Sequence, residues 1–303
     1  MSEVATDDPR PPEEPEPTSR RSRYAYMRSD GTLDIVLGSL VAGLGSYVYQ
    51  FIGGRSLGED GFAPIGVLLT AHFLAFVIVL MPIEQFVIRR LTIGRRGWVV
   101  PGRAIALVVS TAAAAAFVVA VAGDDYFTSR REFVMFILLT VLVHFFFAVG
   151  RGYLAGFRRF RAYGYVSAAA SLLRVGIAIV VAIVAPSVTG FAWAYIIGPL
   201  VIFLWRPWRV PDTGTRLSDQ EVADSSERGL LAGLVLAAAA SQALLLAGPL
   251  VASRLGATAA EFSVTYATLL IARAPLTLGY NLIARILPPF TEMAARGERR
   301  ELR

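Results

Sequence analysis

Tyr266, Arg273, Thr277, Asn281 and Arg285 are the residues whose types and spacing best suit chemistry. They follow one another at intervals of seven, four, four and four, which gathers them on one face of a helix. They lie in the apolar stretch Phe262 to Phe290, longer than the roughly 20 residues that a bilayer crossing needs. Leu269, Ile271, Leu276, Leu278, Leu282 and Ile286 occupy the other faces. A charge near the bilayer centre costs at least about 2.5 kcal/mol, so such residues face protein or water. The pattern therefore predicts a helix that lines a polar cavity. The competing reading is a helix–helix seam with arginines snorkelling outward. Pro275 and the Pro288-Pro289 pair add bends, because proline removes a backbone donor and clashes with the preceding turn.

Arg174, in SLLRVGIAIVV, is the partner expected for this face. It sits some ten residues into its own span, about 15 Å deep at about 1.5 Å per residue. Arg273 falls at a similar depth. Two guanidiniums at mid-membrane suit an anion such as a phosphate, which arginine grips with a planar fork. Pairing of Arg174 with a backbone carbonyl or a neighbouring acid is the alternative. Polar residues elsewhere leave the same choice between cavity wall and packing. Ser39, Gly43, Ser46 and Gln50 share a face of the first span, and Ser241 and Gln242 lie mid-span later on. Glu84 and Gln85 lie beside Arg89 and Arg90, which predicts a local ion pair. His72 and His144 are single histidines in separate spans, suited to hydrogen-bonded packing or to a proton relay. Gly123-Asp124-Asp125 reads as a turn.

The elements that must position these residues are membrane helices. Apolar residues make up 55% and charged residues 17% of the 303, with a mean hydropathy of +0.57; soluble domains are nearer 25% charged. There is no cysteine, hence no disulfide framework and no thiolate site. No metal cluster, phosphate loop or nucleophile–base set is visible, so neither an enzyme nor a cofactor is expected. The net charge of +6 comes from arginine alone, placed between apolar runs rather than in a nucleic-acid patch.

The acidic, proline-rich segment 1–30 reads as a disordered tail. Eight spans are predicted after it, near 32–52, 62–88, 103–122, 131–150, 164–185, 190–205, 229–252 and 262–290. Arginine clusters in the tail and on every second connection: Arg89, Arg90, Arg95 and Arg96; Arg151, Arg158, Arg159 and Arg161; Arg206, Arg209, Arg216 and Arg228; then Arg296, Arg299, Arg300 and Arg303. The intervening connections are poorer, so both termini are expected in the cytoplasm. The stretch 206–228 reads as a cytoplasmic linker between a first bundle, 31–205, and a partial second one, 229–303. Arg55 to Phe62 (RSLGEDGF) and Arg254 to Phe262 (RLGATAAEF) form a weak parallel repeat, each a turn that leads into a span.

These motifs carry a resemblance. LGSLVAGLGSYVYQFIGGRSLGEDGFAPIGVLLT is similar to the opening of bacterial polysaccharide flippases, of the superfamily that also holds lipid II flippases and multidrug and toxin extruders. GRGYLAGFRRF, from Gly150 to Phe160, resembles the cytoplasmic turn after their fourth helix, and LLIARAPLTL the start of their second bundle. The resemblance implies an all-α, polytopic protein of about eight transmembrane helices: a first six-helix bundle plus the first two helices of a second. It implies a bacterial inner-membrane transporter that moves a lipid-linked oligosaccharide of the undecaprenyl-pyrophosphate type by alternating access. Substrate contact would then fall to Arg174, Tyr266, Arg273, Thr277, Asn281 and Arg285. The partners implied are the bilayer, an anionic glycan lipid and a coupling ion. The chain reads as a fragment of the family's full length. The alternatives are an ion-coupled multidrug exporter of the same superfamily, or a membrane enzyme of polysaccharide assembly. The exporter should need intramembrane carboxylates, and spans 3 to 8 hold none away from their ends.

Overall fold

A computed structural model of the chain describes residues 31–94, 99–122, 129–209, 227–255 and 279–294. The tail, most of the linker, the 123–125 turn, the second repeat turn and the residues Tyr266, Arg273 and Thr277 lie outside the described residues. Every regular element described is helical. Among the described residues five helices are long and apolar enough to cross a membrane: α1 (Thr32–Gly58), α2 (Asp60–Thr92), α4 (Arg131–Gly156), α5 (Phe160–Val184) and the broken α6 (Val188–Arg209). Helix α3 (Gly102–Ala122) is apolar and follows α2. Helix α7 (Glu227–Arg254) and helix α8 (279–294) complete the described chain. The protein is a multi-pass, all-helical membrane protein.

Several breaks fall where residue chemistry places them. The expected turn between the first two spans shrinks to one residue. Gly58 takes φ 74° and ψ 175°, outside the helical region, and helix resumes at once. Only a residue without Cβ adopts that conformation cheaply. Within α2 a π-helical turn spans Phe76–Leu80, just ahead of Pro82. A π turn holds an extra residue and so shifts the phase of the helix beyond it; after the shift Ile83, Glu84, Phe86, Val87 and Ile88 are all buried. In α6, Pro199 coincides with a 3-10 turn, Gly198–Val201. Ser129 and Ser187 cap the starts of α4 and α6 by accepting from the backbone N–H of Glu132 and Gly190.

The tightest seam joins α1 to α5. A Cβ on Gly38 would meet the Gly164 carbonyl oxygen at 2.3 Å, and one on Gly164 would meet the Asp34 carbonyl oxygen at 2.2 Å. The backbones thus touch, as small residues allow between membrane helices. Further along, the Ser171 hydroxyl donates to the Ala42 carbonyl at 3.1 Å.

The helices alternate in direction, so the arginine-rich connections meet at one end of the bundle. That end holds the starts of α1 and α5 and the ends of α2 and α4. An apolar cluster there contains Ile35, Ile88, Leu154, Phe160 and Tyr163, and it also takes in Ala284 of α8. Leu231, near the start of α7, is buried in a second cluster with Leu80, Ile83 and Val149. At the opposite end of α7, Leu255 is 82% exposed. A third cluster gathers Tyr49 of α1, Phe136 of α4 and Phe191 and Tyr195 of α6.

Candidate functional site

Two polar clusters lie within the membrane-spanning helices. The first is built on Arg151. The sequence pattern put Arg151 on an exposed connection, but α4 runs on to Gly156 and carries it into the interior. Gly152 and Gly156 make that approach possible, since Cβ atoms there would strike Val87 and Leu91 of α2 at 2.8 Å. Arg151 is 7% exposed and Glu84 of α2 is 4% exposed. They form an ion pair at 3.3 Å. The Tyr163 hydroxyl of α5 accepts from Arg151 and donates to Glu84 Oε1 at 2.8 Å. The Arg151 guanidinium lies 4.4 Å from the Tyr163 ring centroid and 5.6 Å from that of Phe147. The predicted local pairing of Glu84 with Arg89 and Arg90 is therefore corrected. The shift of phase at the π turn points Glu84 inward, to an arginine 67 residues away in sequence. Arg90 instead donates to the Val99 carbonyl at 2.8 Å and lies over Phe86.

Asn281 and Arg285 of α8 reach this end of the bundle. The Asn281 carbonyl oxygen accepts from Arg151 at 2.5 Å. The Arg285 Nε donates to the Thr32 hydroxyl at 3.2 Å, and its guanidinium lies 4.5 Å from the Phe160 ring centroid. One turn beyond the next, Glu292 pairs with Arg158. Asn281 and Arg285 thus sit one turn apart on α8, and Tyr266, Arg273 and Thr277 of the expected face lie outside the described residues. The neighbours of Asn281 and Arg285 in space belong to α1, α4 and α5.

The second cluster surrounds Arg174. Its guanidinium lies 4.4 Å from the Tyr195 ring centroid. Tyr195 packs against His72, His144 and Tyr49 at 5.4, 5.3 and 5.8 Å between ring centroids. The two histidines, isolated in sequence, are 3.8 Å apart between rings. The Thr140 carbonyl lies 2.8 Å from His144 Nδ1, and the Tyr49 hydroxyl donates to the Phe191 carbonyl at 2.8 Å. Among the described residues His72 Nδ1, His144 Nε2, Thr140 Oγ1 and Arg174 Nε have no hydrogen-bond partner, and neither do Glu84 Oε2 and Arg151 Nε of the first cluster. A small cavity touches His72 and Thr140. Arg174 is eleven residues beyond Tyr163 on α5, about 16 Å along the axis. It therefore lies in a different layer from Asn281 and Arg285. Its expected juxtaposition with Arg273 falls outside the described residues.

Ser39 is buried, at 8% exposure, and nothing lies within 4 Å of a Cβ placed on Gly43. Ser46 and Gln50 bond to carbonyls of their own helix, at 2.9 and 3.2 Å. Gln242 is buried at 2% exposure. Glu84, Arg151 and Tyr163 are the residues that sequence reasoning missed. A carboxylate in an apolar span was the available signal, and it was assigned to the nearest arginines in sequence. Among the described residues no group of three or more histidine, cysteine or acidic side chains could hold a metal ion.

No protein-family model matches the chain, and no curated protein sequence does either. Two solved structures share its fold. One is an outward-facing conformation of a multidrug resistance MATE family transporter of the MOP superfamily, at TM-score 0.59 and 16% identity. The match covers 88% of this chain and 66% of that one, so the chain spans just under two thirds of the transporter's length. The other is a MATE protein crystallised in complex with MaD5, at TM-score 0.56 and 15% identity, covering 88% of this chain and 68% of that one. What this chain shares with both is the all-α fold.

Proposed function

We propose that this chain is part of an alternating-access exporter of the multidrug and oligosaccharide-lipid exporter superfamily, in a bacterial inner membrane. The observation that carries this reading is the fold shared with two MATE transporters along 88% of the chain. In this reading, residues 31–205 form a first bundle, 206–228 a linker and 229–303 the start of a second bundle. The arginine-rich end faces the cytoplasm, as the asymmetry of charge between connections favours.

Export of organic, multidrug-type cargo coupled to an ion is the substrate reading we favour. The objection from sequence concerned spans 3 to 8; the second span supplies a buried carboxylate, Glu84, 4% exposed and paired with Arg151. An ionisable residue within a membrane helix is by default a candidate for an ion or proton path. The second reading, a lipid-linked anionic glycan, rests on Arg174. Its guanidinium lies mid-span, with Nε free of hydrogen bonds among the described residues, and arginine suits phosphate.

Dye efflux from cells that produce the chain separates the two. The exporter reading expects energy-dependent efflux of an aromatic cation such as ethidium, abolished in Glu84→Gln. Absence of efflux, together with complementation of a glycan-export defect that Arg174→Ala removes, would shift the assignment to the lipid-linked glycan.

A further inference from the structure

Helix α6 ends on a residue that the backbone alone would not choose. Its last helical turn, Ile202–Trp205, closes on Arg206, which takes φ 42° and ψ 55°. This left-handed conformation at a helix end is usually left to glycine, because a Cβ makes it costly. Such strain persists where the side chain is needed for something else. Arg158, the other described non-glycine residue at positive φ, spends its side chain on Glu292. Among the described residues the guanidiniums of Arg206 and Arg209 are in no ion pair or hydrogen bond.

The turn that follows is firmly seated. The Arg209 N–H donates to the Arg206 carbonyl at 3.0 Å, and a turn closed in this way keeps its first and last Cα within about 7 Å. Pro207 is buried. Gly150 of α4 makes room for it: a Cβ there would meet Ile202 Cγ1 at 2.4 Å and Pro207 Cγ at 3.2 Å. Two exposed arginines thus leave one fixed turn. Trp208, between them, is exposed as well. Its ring packs edge-on against Phe203 at 5.6 Å between centroids, and Phe203 packs against Phe146 of α4 at 5.8 Å. Leu200 and Leu204, beside Phe203, are exposed. Helix α6 is long and apolar enough to span a membrane, so this surface lies against acyl chains and Trp208 falls at the headgroup level, where tryptophan concentrates.

We propose that the turn Arg206–Arg209 and the wall of Phe146, Phe203 and Trp208 form a binding site for an anionic phospholipid. Arg206 and Arg209 hold the headgroup phosphate, and one acyl chain runs along the three rings. Arginine suits phosphate through its planar fork, and basic residues at a membrane surface favour anionic over zwitterionic lipid. The site is separate from both buried clusters. It requires only that the helices lie in a bilayer, and it is independent of any cargo.

Tryptophan quenching tests the site. The full chain in detergent micelles is titrated with phosphatidylglycerol brominated on its acyl chains, and in parallel with the matching phosphatidylcholine. The difference between each protein and its Trp208→Phe version gives the quenching that belongs to Trp208. That quenching should reach its midpoint at less phosphatidylglycerol than phosphatidylcholine. Each arginine removed should raise the phosphatidylglycerol midpoint about fivefold, the factor that matches about 1 kcal/mol per basic residue at a membrane surface. Arg206→Gly is the most telling variant. Glycine relaxes the left-handed turn, so the thermal midpoint should hold or rise while the lipid preference falls. Arg209→Gln should weaken the preference without touching the strained position. Arg131→Gln removes the same charge at the opposite end of α4 and should change nothing. Equal midpoints for the two lipids in the unmodified chain would overturn the site, as would a preference that survives Arg206→Gly combined with Arg209→Gln. A loss in Arg131→Gln equal to that in Arg206→Gly would overturn it too, since net charge alone would then set the preference. So would a loss that comes with a lower thermal midpoint in both Arg206→Gly and Arg209→Gln, the arginines then serving the fold.

Discussion

The Arg151 cluster and the Arg174 cluster are both arginine-centred and both lie among membrane helices, yet their surroundings differ. Arg151 has a carboxylate at 3.3 Å, a phenol and an amide, drawn from α2, α5 and α8. Arg174 has the face of Tyr195 and, beyond it, two histidines in ring contact. The first cluster brings its own counter-charge, and it ties four helices together at one end. Among the described residues both keep buried polar atoms without a hydrogen-bond partner, Glu84 Oε2 and Arg151 Nε in the first and His72 Nδ1, His144 Nε2, Thr140 Oγ1 and Arg174 Nε in the second, and the second also touches a small cavity. Neutralised charge ties helices together, and an ion or proton reaches Glu84 only by displacing Arg151. A charge held against an aromatic ring, with no carboxylate paired to it among the described residues, leaves capacity for something else.

That contrast breaks first at Arg151. Arg151→Ala leaves Glu84 buried without its partner, and should cost about 3–5 kcal/mol. A large drop in thermal midpoint in detergent would register it. Glu84→Gln with Arg151→Gln should recover most of that loss, because the two amides can satisfy each other. If the single and double variants are equally unstable, the pair is not the joint described here.

Gly164→Val tests the seam that orients Tyr163 toward Arg151. Its side chain would enter the space of the Asp34 carbonyl, which a Cβ already meets at 2.2 Å. Overpacking of this kind costs about 1–3 kcal/mol, and the thermal midpoint should fall by less than in Arg151→Ala. Serine or alanine at 164 should lie between the unmodified chain and Gly164→Val.

Arg174→Ala should be the mildest for stability, since an arginine–aromatic contact contributes about 0.5–2 kcal/mol. Its effect should appear in transport instead. A loss of efflux or glycan export at normal protein levels would sharpen the comparison, whereas unchanged transport would make Arg174 a packing residue. Tyr195→Leu should reproduce the transport defect if the ring is what holds the guanidinium.

The sequence made the fold class legible because apolar runs and arginine asymmetry are local signals. It also grouped Asn281 with Arg285, since a four-residue interval on a helix is local too. The partners were not legible. Arg151 and Asn281 are 130 residues apart, and Arg285 and Thr32 are 253 apart. Gly150-Arg151-Gly152 reads as a turn by composition, but in the structure these glycines let α4 pack closely and carry Arg151 inward. The phase of α2 was hidden by its π turn, which no 3.6-residue pattern anticipates. His72 and His144 showed no relation in sequence because nothing in either span specifies what faces it.

The most direct test of the account is whether the arginine-rich end opens as the far end closes. Spin labels at Leu255→Cys of α7 and Val184→Cys at the end of α5, in the cysteine-free chain, would report the far end by pulsed dipolar spectroscopy in lipid nanodiscs. Alternating access predicts two distance populations. A single narrow distance would contradict it.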